Sequence, residues 1–130
     1  MDKVLLVGLG GAIGSMARYG VGGAVGRLKA GWEFPIETLL INVVGCLVIG
    51  TLAGWSEARG VFSGNTRAFL FIGLLGGFTT FSTFGYEAFQ LMRDAQWLRA
   101  GMYVGLHMVA GLVAVWGGWT LAQLPLWSAR

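Results

Sequence analysis

The chain has 130 residues, of which 55% are hydrophobic and only 12% charged, and this excludes an ordinary soluble domain, where about a quarter of residues are charged. Its formal charge of +3 comes from nine basic and six acidic residues, and the basic ones stand singly between apolar runs, which excludes a nucleic-acid partner. Glycine occurs 23 times against two prolines without a Gly-X-Y period, so collagen and disordered linkers are excluded, and membrane helices with closely approaching backbones fit.

Taken in order, the sequence predicts an all-α integral membrane protein, a single transmembrane domain over residues 1–130 with helices near 4–25, 37–55, 68–92 and 99–124. Each run approaches the ~20 residues that cross a bilayer. The first begins after Met1-Asp2-Lys3, and no small-residue cleavage site follows, so it reads as an uncleaved membrane helix. It carries Arg18. Arg27, Lys29, Glu33 and Pro35 punctuate the first link. The second helix holds Asn42 about one turn in, and Cys46, the single cysteine, as a small packing residue. The stretch 56–66 reads as a loop, with Gly60, Gly64 and Asn65 as turn residues. Arg93, Asp94 and Gln96 form a short third link. Trp32, Trp55, Trp97 and Trp127 fall near helix ends, where an interfacial aromatic belt places them.

Four helices put both termini on one side. That side then carries Lys3, Arg59, Arg67 and Arg130, and the other Arg27, Lys29, Arg93 and Arg99. The positive-inside bias is absent, which predicts insertion in both orientations and an antiparallel, dual-topology homodimer with an isologous interface. A modest bias hidden by the loop borders is the alternative. The pairs Gly10/Gly14, Gly22/Gly26, Gly73/Gly77 and Gly101/Gly105 are candidate helix contacts.

Polar groups inside hydrocarbon are functional candidates by default. Asn42 is either interhelical glue or a pore-lining donor. The run from Gly76 to Phe84 (GGFTTFSTF) places Thr79, Thr80, Ser82 and Thr83 after paired glycines, which predicts a third helix broken mid-membrane near residues 76–80. Such backbone is tolerated only when buried in protein or lining a wet cavity, and its freed carbonyls suit a small cation; a glycine kink closed by threonine hydroxyls is the alternative. Phe81 and Phe84 share a helix face, and their positive ring edges can touch an anion, although core packing also explains them. Glu87 lies one turn further, at the interface or in a vestibule. Arg18 either snorkels or draws anions to a pore mouth. Tyr103 and His107 lie four apart on one face; Tyr103 can donate to an ion, and interhelical bonding is the expected role of His107. No Walker A loop, H-E-x-x-H or G-x-S-x-G motif is present, and no catalytic carboxylate pair falls in a membrane segment, so the chain does not read as an enzyme.

The run Gly76-Gly77-Phe78-Thr79-Thr80-Phe81-Ser82-Thr83-Phe84 closely resembles the G-G-x-T-T-F-S-T-F signature of the Fluc/CrcB fluoride channels. Gly10 to Gly14 with Arg18, and Thr38 to Gly45 (TLLINVVG) around Asn42, match in the same order, so the resemblance spans essentially the whole chain. It implies a fluoride-selective channel that passively exports cytoplasmic fluoride, as a multi-pass protein of a prokaryotic plasma or inner membrane in contact with lipid. It implies two pores per antiparallel homodimer and a structural sodium ion at the dimer interface, held by backbone carbonyls at Gly76 and Thr79. It carries pore roles to Asn42, Phe81, Phe84 and Tyr103, a hydroxyl track to Thr80, Ser82 and Thr83, and vestibule or neighbouring positions to Arg18, Glu87 and His107. Some relatives have a serine where this chain has Gly111, so another donor or water would serve here. Two other readings remain from the residues alone: a proton-coupled exporter, for which Glu87 is the one candidate carboxylate, and a structural membrane subunit.

Overall fold

The computed structural model describes residues 2–29, 31 and 34–124; Trp32, Glu33, Trp127 and Arg130 lie outside them. Four long apolar helices fill the described chain: α1 (Lys3–Leu28), α2 (Ile36–Arg59), α3 (Gly64–Arg93) and α4 (Trp97–Ala122). At ~1.5 Å per residue each exceeds the ~30 Å of a hydrocarbon core.

The helix ends follow local chemistry. Asp2 caps α1 by accepting from the Val4 amide at 3.3 Å. The expected loop over 56–66 is shorter than its polarity suggests. α2 continues through Ser56, Glu57 and Arg59 and stops at Gly60, whose φ of 60° favours glycine. Ser63 then caps the start of α3 through the Thr66 amide at 3.2 Å, because a serine hydroxyl satisfies an orphan first-turn donor.

Inside α3 the backbone is not uniform. Ala68–Leu75 winds as a π-helix, Gly76–Phe78 returns to α-helical geometry, Thr79 (φ −81°, ψ 162°) is extended, Thr80 (φ −150°, ψ 110°) is extended too, and Phe81–Arg93 is again α-helical. The turn into α4 places Ala95 at φ 58°.

The helices associate mainly as two couples, α1 with the first part of α3 and α2 with α4. Glycine explains both. A Cβ at Gly10 or Gly14 would overlap α3 backbone between Phe69 and Phe78, and one at Gly77 would meet the carbonyl of Gly11. A Cβ at Gly50 would meet Val115, one at Gly54 Trp119 and Ala122, and one at Gly118 Leu47 and Thr51. Gly10/Gly14 and Gly73/Gly77 therefore face each other. Gly101/Gly105 have nothing within 4 Å, and Gly22 and Gly26 meet only side-chain atoms at 3.7 and 3.4 Å. The seam at Gly50 and Gly54 is an additional one. Long apolar side chains such as Leu98, Val109, Leu112 and Trp116 point outward, the arrangement expected where lipid gives no reason to bury them.

Candidate functional site

The site is built around the extended residues of α3. Asn42 on α2 donates from Nδ2 to the Thr80 carbonyl at 3.1 Å and accepts from the Thr80 amide at 2.9 Å. A carboxamide has a donor and an acceptor side by side, so it mimics a strand partner for one residue. The second Nδ2 hydrogen has no acceptor within the described residues.

These contacts redirect backbone donors. The Thr80 amide turns to Asn42 rather than to the Gly76 carbonyl four residues back. The Thr83 amide turns to Thr80 Oγ1 at 3.2 Å rather than to the Thr79 carbonyl. Gly76 and Thr79 thus both lose their usual helical donors. Thr79 itself returns to the helix below, its amide and its hydroxyl each donating to the Leu75 carbonyl at 2.9 Å. The hydroxyl of Thr80 donates to Thr83 Oγ1 at 2.9 Å, and the Thr83 hydroxyl hydrogen has no acceptor among the described residues. Ser82 Oγ lies 3.5 Å from Thr80 Oγ1 and is exposed.

An aromatic row runs beside this segment. The centroids of Phe81 and Phe84 lie 5.6 Å apart; Phe84 lies 5.5 Å from Tyr103 and 4.3 Å from His107. Phe81 is 82% exposed, whereas Tyr103 is fully buried at 0%. The two phenylalanines are therefore unlike: Phe84 is wedged against α4, and Phe81 stands free on the described surface. His107 Nδ1 donates to the Tyr103 carbonyl at 3.1 Å, since a carbonyl only accepts. Its bond thus stays within α4 instead of joining two helices, and its Nε2 is buried without a hydrogen-bond partner among the described residues.

Glu87 is fixed by two hydroxyls. Tyr103 donates to Oε2 at 2.5 Å and Thr38 donates to Oε1 at 3.0 Å. The Tyr103 hydroxyl is thereby committed to Glu87, and Thr38, which the sequence reading did not single out as a site residue, joins the cluster. The available signal was its spacing, since Thr38 precedes Asn42 by one turn and shares its face.

Two cavities flank the segment. One, of about 430 Å³, is lined by Asn42, Gly76, Thr79, Thr80, Phe81, Phe84 and His107, among others. The other, of about 650 Å³, is lined by Arg18, Lys29, Glu37, Thr38, Thr80, Thr83 and Glu87, among others. Thr80 lines both. The fold thus gathers Asn42, Thr79, Phe81, Phe84 and His107 on one side of Thr80, and Arg18, Thr83 and Glu87 on the other. Ser82 and Tyr103 line neither cavity.

Comparison with known proteins bears on what such an arrangement serves. A family model described as CrcB-like protein, Camphor Resistance (CrcB), matches residues 5–119. The chain is 46% identical over 126 residues to a fluoride-specific ion channel FluC of Methylobacillus flagellatus, covering 97% of this chain and 98% of that one. It is 44% identical over 118 residues to a protein of the same name from Nitratidesulfovibrio vulgaris, covering 91% and 94%, and 47% identical over 116 residues to one from Chloroflexus aurantiacus, covering 88% and 90%.

Proposed function

The chain belongs to the CrcB family of fluoride-specific ion channels, and from that membership we propose that it is a fluoride-selective channel through which cytoplasmic fluoride leaves the cell passively. The observation that carries this reading is the meeting of the two cavities at Thr80, inside a bundle of four membrane-length helices.

In this mechanism fluoride gathers in the cavity beside Arg18 and sheds part of its hydration there. The Thr83 hydroxyl hydrogen replaces some of the lost water. The spare Nδ2 hydrogen of Asn42 and the ring edges of Phe81 and Phe84 serve the ion on the far side of Thr80, with the exposed Ser82 hydroxyl at the margin. Neutral donors and ring edges hold an anion firmly enough to admit it and weakly enough to release it. The gap between rings excludes larger halides. Tyr103, Thr38 and Glu87 hold the wall in shape.

The active form is an antiparallel dual-topology homodimer with two pores, and α3 is interrupted at Thr79 and Thr80 in mid-membrane. Balanced basic residues on the two sides of the sequence support the topology. Exposed Gly76, with open space beside it, supports a second copy covering this face. The carbonyls of Gly76 and Thr79, deprived of their helical donors, are hard oxygen ligands suited to a small hard cation. Two of them from each subunit would hold a sodium ion on the two-fold axis. When bound, it supplies a fixed positive potential beside the pores. The setting is a prokaryotic plasma or inner membrane. Expression in a bacterium lacking its own fluoride exporter tests the function: growth in fluoride should be restored, and unrestored growth with protein present in the membrane would count against it.

A further inference from the structure

The cavity beside Arg18 contains an ion pair that the pore mechanism does not use. Lys29 Nζ lies 2.7 Å from Glu37 Oε2, and their side chains are only 26% and 24% exposed. Both line the same cavity as Thr83 and Glu87. Four charged side chains face this space: Arg18, Lys29, Glu37 and Glu87. Glu87 is turned onto the hydroxyls of Tyr103 and Thr38. Arg18 has no ion-pair partner among the described residues. Lys29 would be a second cation over the cavity, and Glu37 cancels it.

We propose that Glu37 is a rate-setting residue of the anion path: by pairing with Lys29 it removes one cation from the charge sum of this cavity and holds fluoride entry below what the lysine alone would give. The inference rests on the fluoride-channel reading. Fields in a partly buried, low-dielectric cavity raise the local concentration of a mobile counter-ion, and salt screens them over a Debye length of about 10 Å at 0.1 M. A structural explanation competes with it. Lys29 follows the C-terminal end of α1 and Glu37 lies in the first turn of α2, where each charge favours its helix dipole and together they staple the link. The two roles differ in sign. A staple weakens when either partner is lost. A charge sum rises when the acid is lost and falls when the base is lost.

The test is fluoride current of the reconstituted full chain at subsaturating fluoride, in about 20 mM and about 1 M total salt. Glu37→Gln should raise the low-salt current about twofold, Lys29→Gln should lower it by a similar factor, and the double variant should return to the wild-type value. All three should converge on wild type in high salt. A fall in current for both single variants, or changes that persist undiminished in high salt, would overturn the proposal and leave the pair a staple. A wild-type chain that carries no fluoride current would overturn the channel reading itself, and the inference with it.

Discussion

The side chain of Asn42 forms two hydrogen bonds with a single residue, Thr80, at 3.1 and 2.9 Å, across the interface between α2 and α3. One amide thereby holds an extended residue in place and redirects the donor that would otherwise have reached Gly76. The shape of the site follows from this contact more than from any other.

Asn42→Asp keeps the size of the side chain but replaces its donor with an acceptor that faces the Thr80 carbonyl. The loss should lower stability by ~1–3 kcal/mol. It should also cut fluoride flux at least roughly tenfold, ~1.4 kcal/mol in the barrier, because a like charge then borders the path. Flux and melting temperature of the purified variant check this; undiminished flux would remove Asn42 from the pore.

The two phenylalanines should separate under the same substitution. Phe81→Ile should slow fluoride flux with little change in melting temperature, since Phe81 is 82% exposed. Phe84→Ile should slow flux and also destabilise, by ~1 kcal/mol or more, because it gives up ring contacts with both Tyr103 and His107. Equal melting temperatures for the two variants would contradict the asymmetry.

Glu87→Gln discriminates a channel from a proton-coupled exporter. A glutamine still accepts from the Tyr103 or Thr38 hydroxyl, so a channel should retain conduction at reduced rate. Complete loss of transport in a folded variant would favour proton coupling. Tyr103→Phe leaves one Glu87 oxygen short of its donor and should destabilise by ~1–3 kcal/mol.

The glycine seams give a stability prediction independent of transport. Gly14→Leu should prevent α1 from seating on α3, with loss of folded protein on size exclusion, because added atoms would meet backbone. Gly105→Ala, where nothing lies within 4 Å, should leave the elution profile unchanged.

Much of this architecture is legible in the sequence because the bilayer simplifies the code. Four apolar runs of spanning length become four long helices, since no other element satisfies its own backbone in lipid. Partners are harder to read. The hydrogen bonds joining Thr38 to Glu87 and Asn42 to Thr80 cross between helices, so no local spacing pairs them. The glycine pairs illustrate the same limit. Gly73/Gly77 and Gly101/Gly105 carry the same pattern, yet among the described residues of one chain only the first meets a neighbour, because spacing reports what could approach and not what does. Ser56 and Glu57 misled in the other direction: polar residues at the end of a long helix look like the start of a loop.

Efflux from liposomes tests the central claim most directly, with fluoride and chloride release followed in parallel from vesicles containing the purified chain. A fluoride-selective channel should release fluoride rapidly and chloride hardly at all. No fluoride release from well-folded protein, or equal release of the two ions, would contradict it.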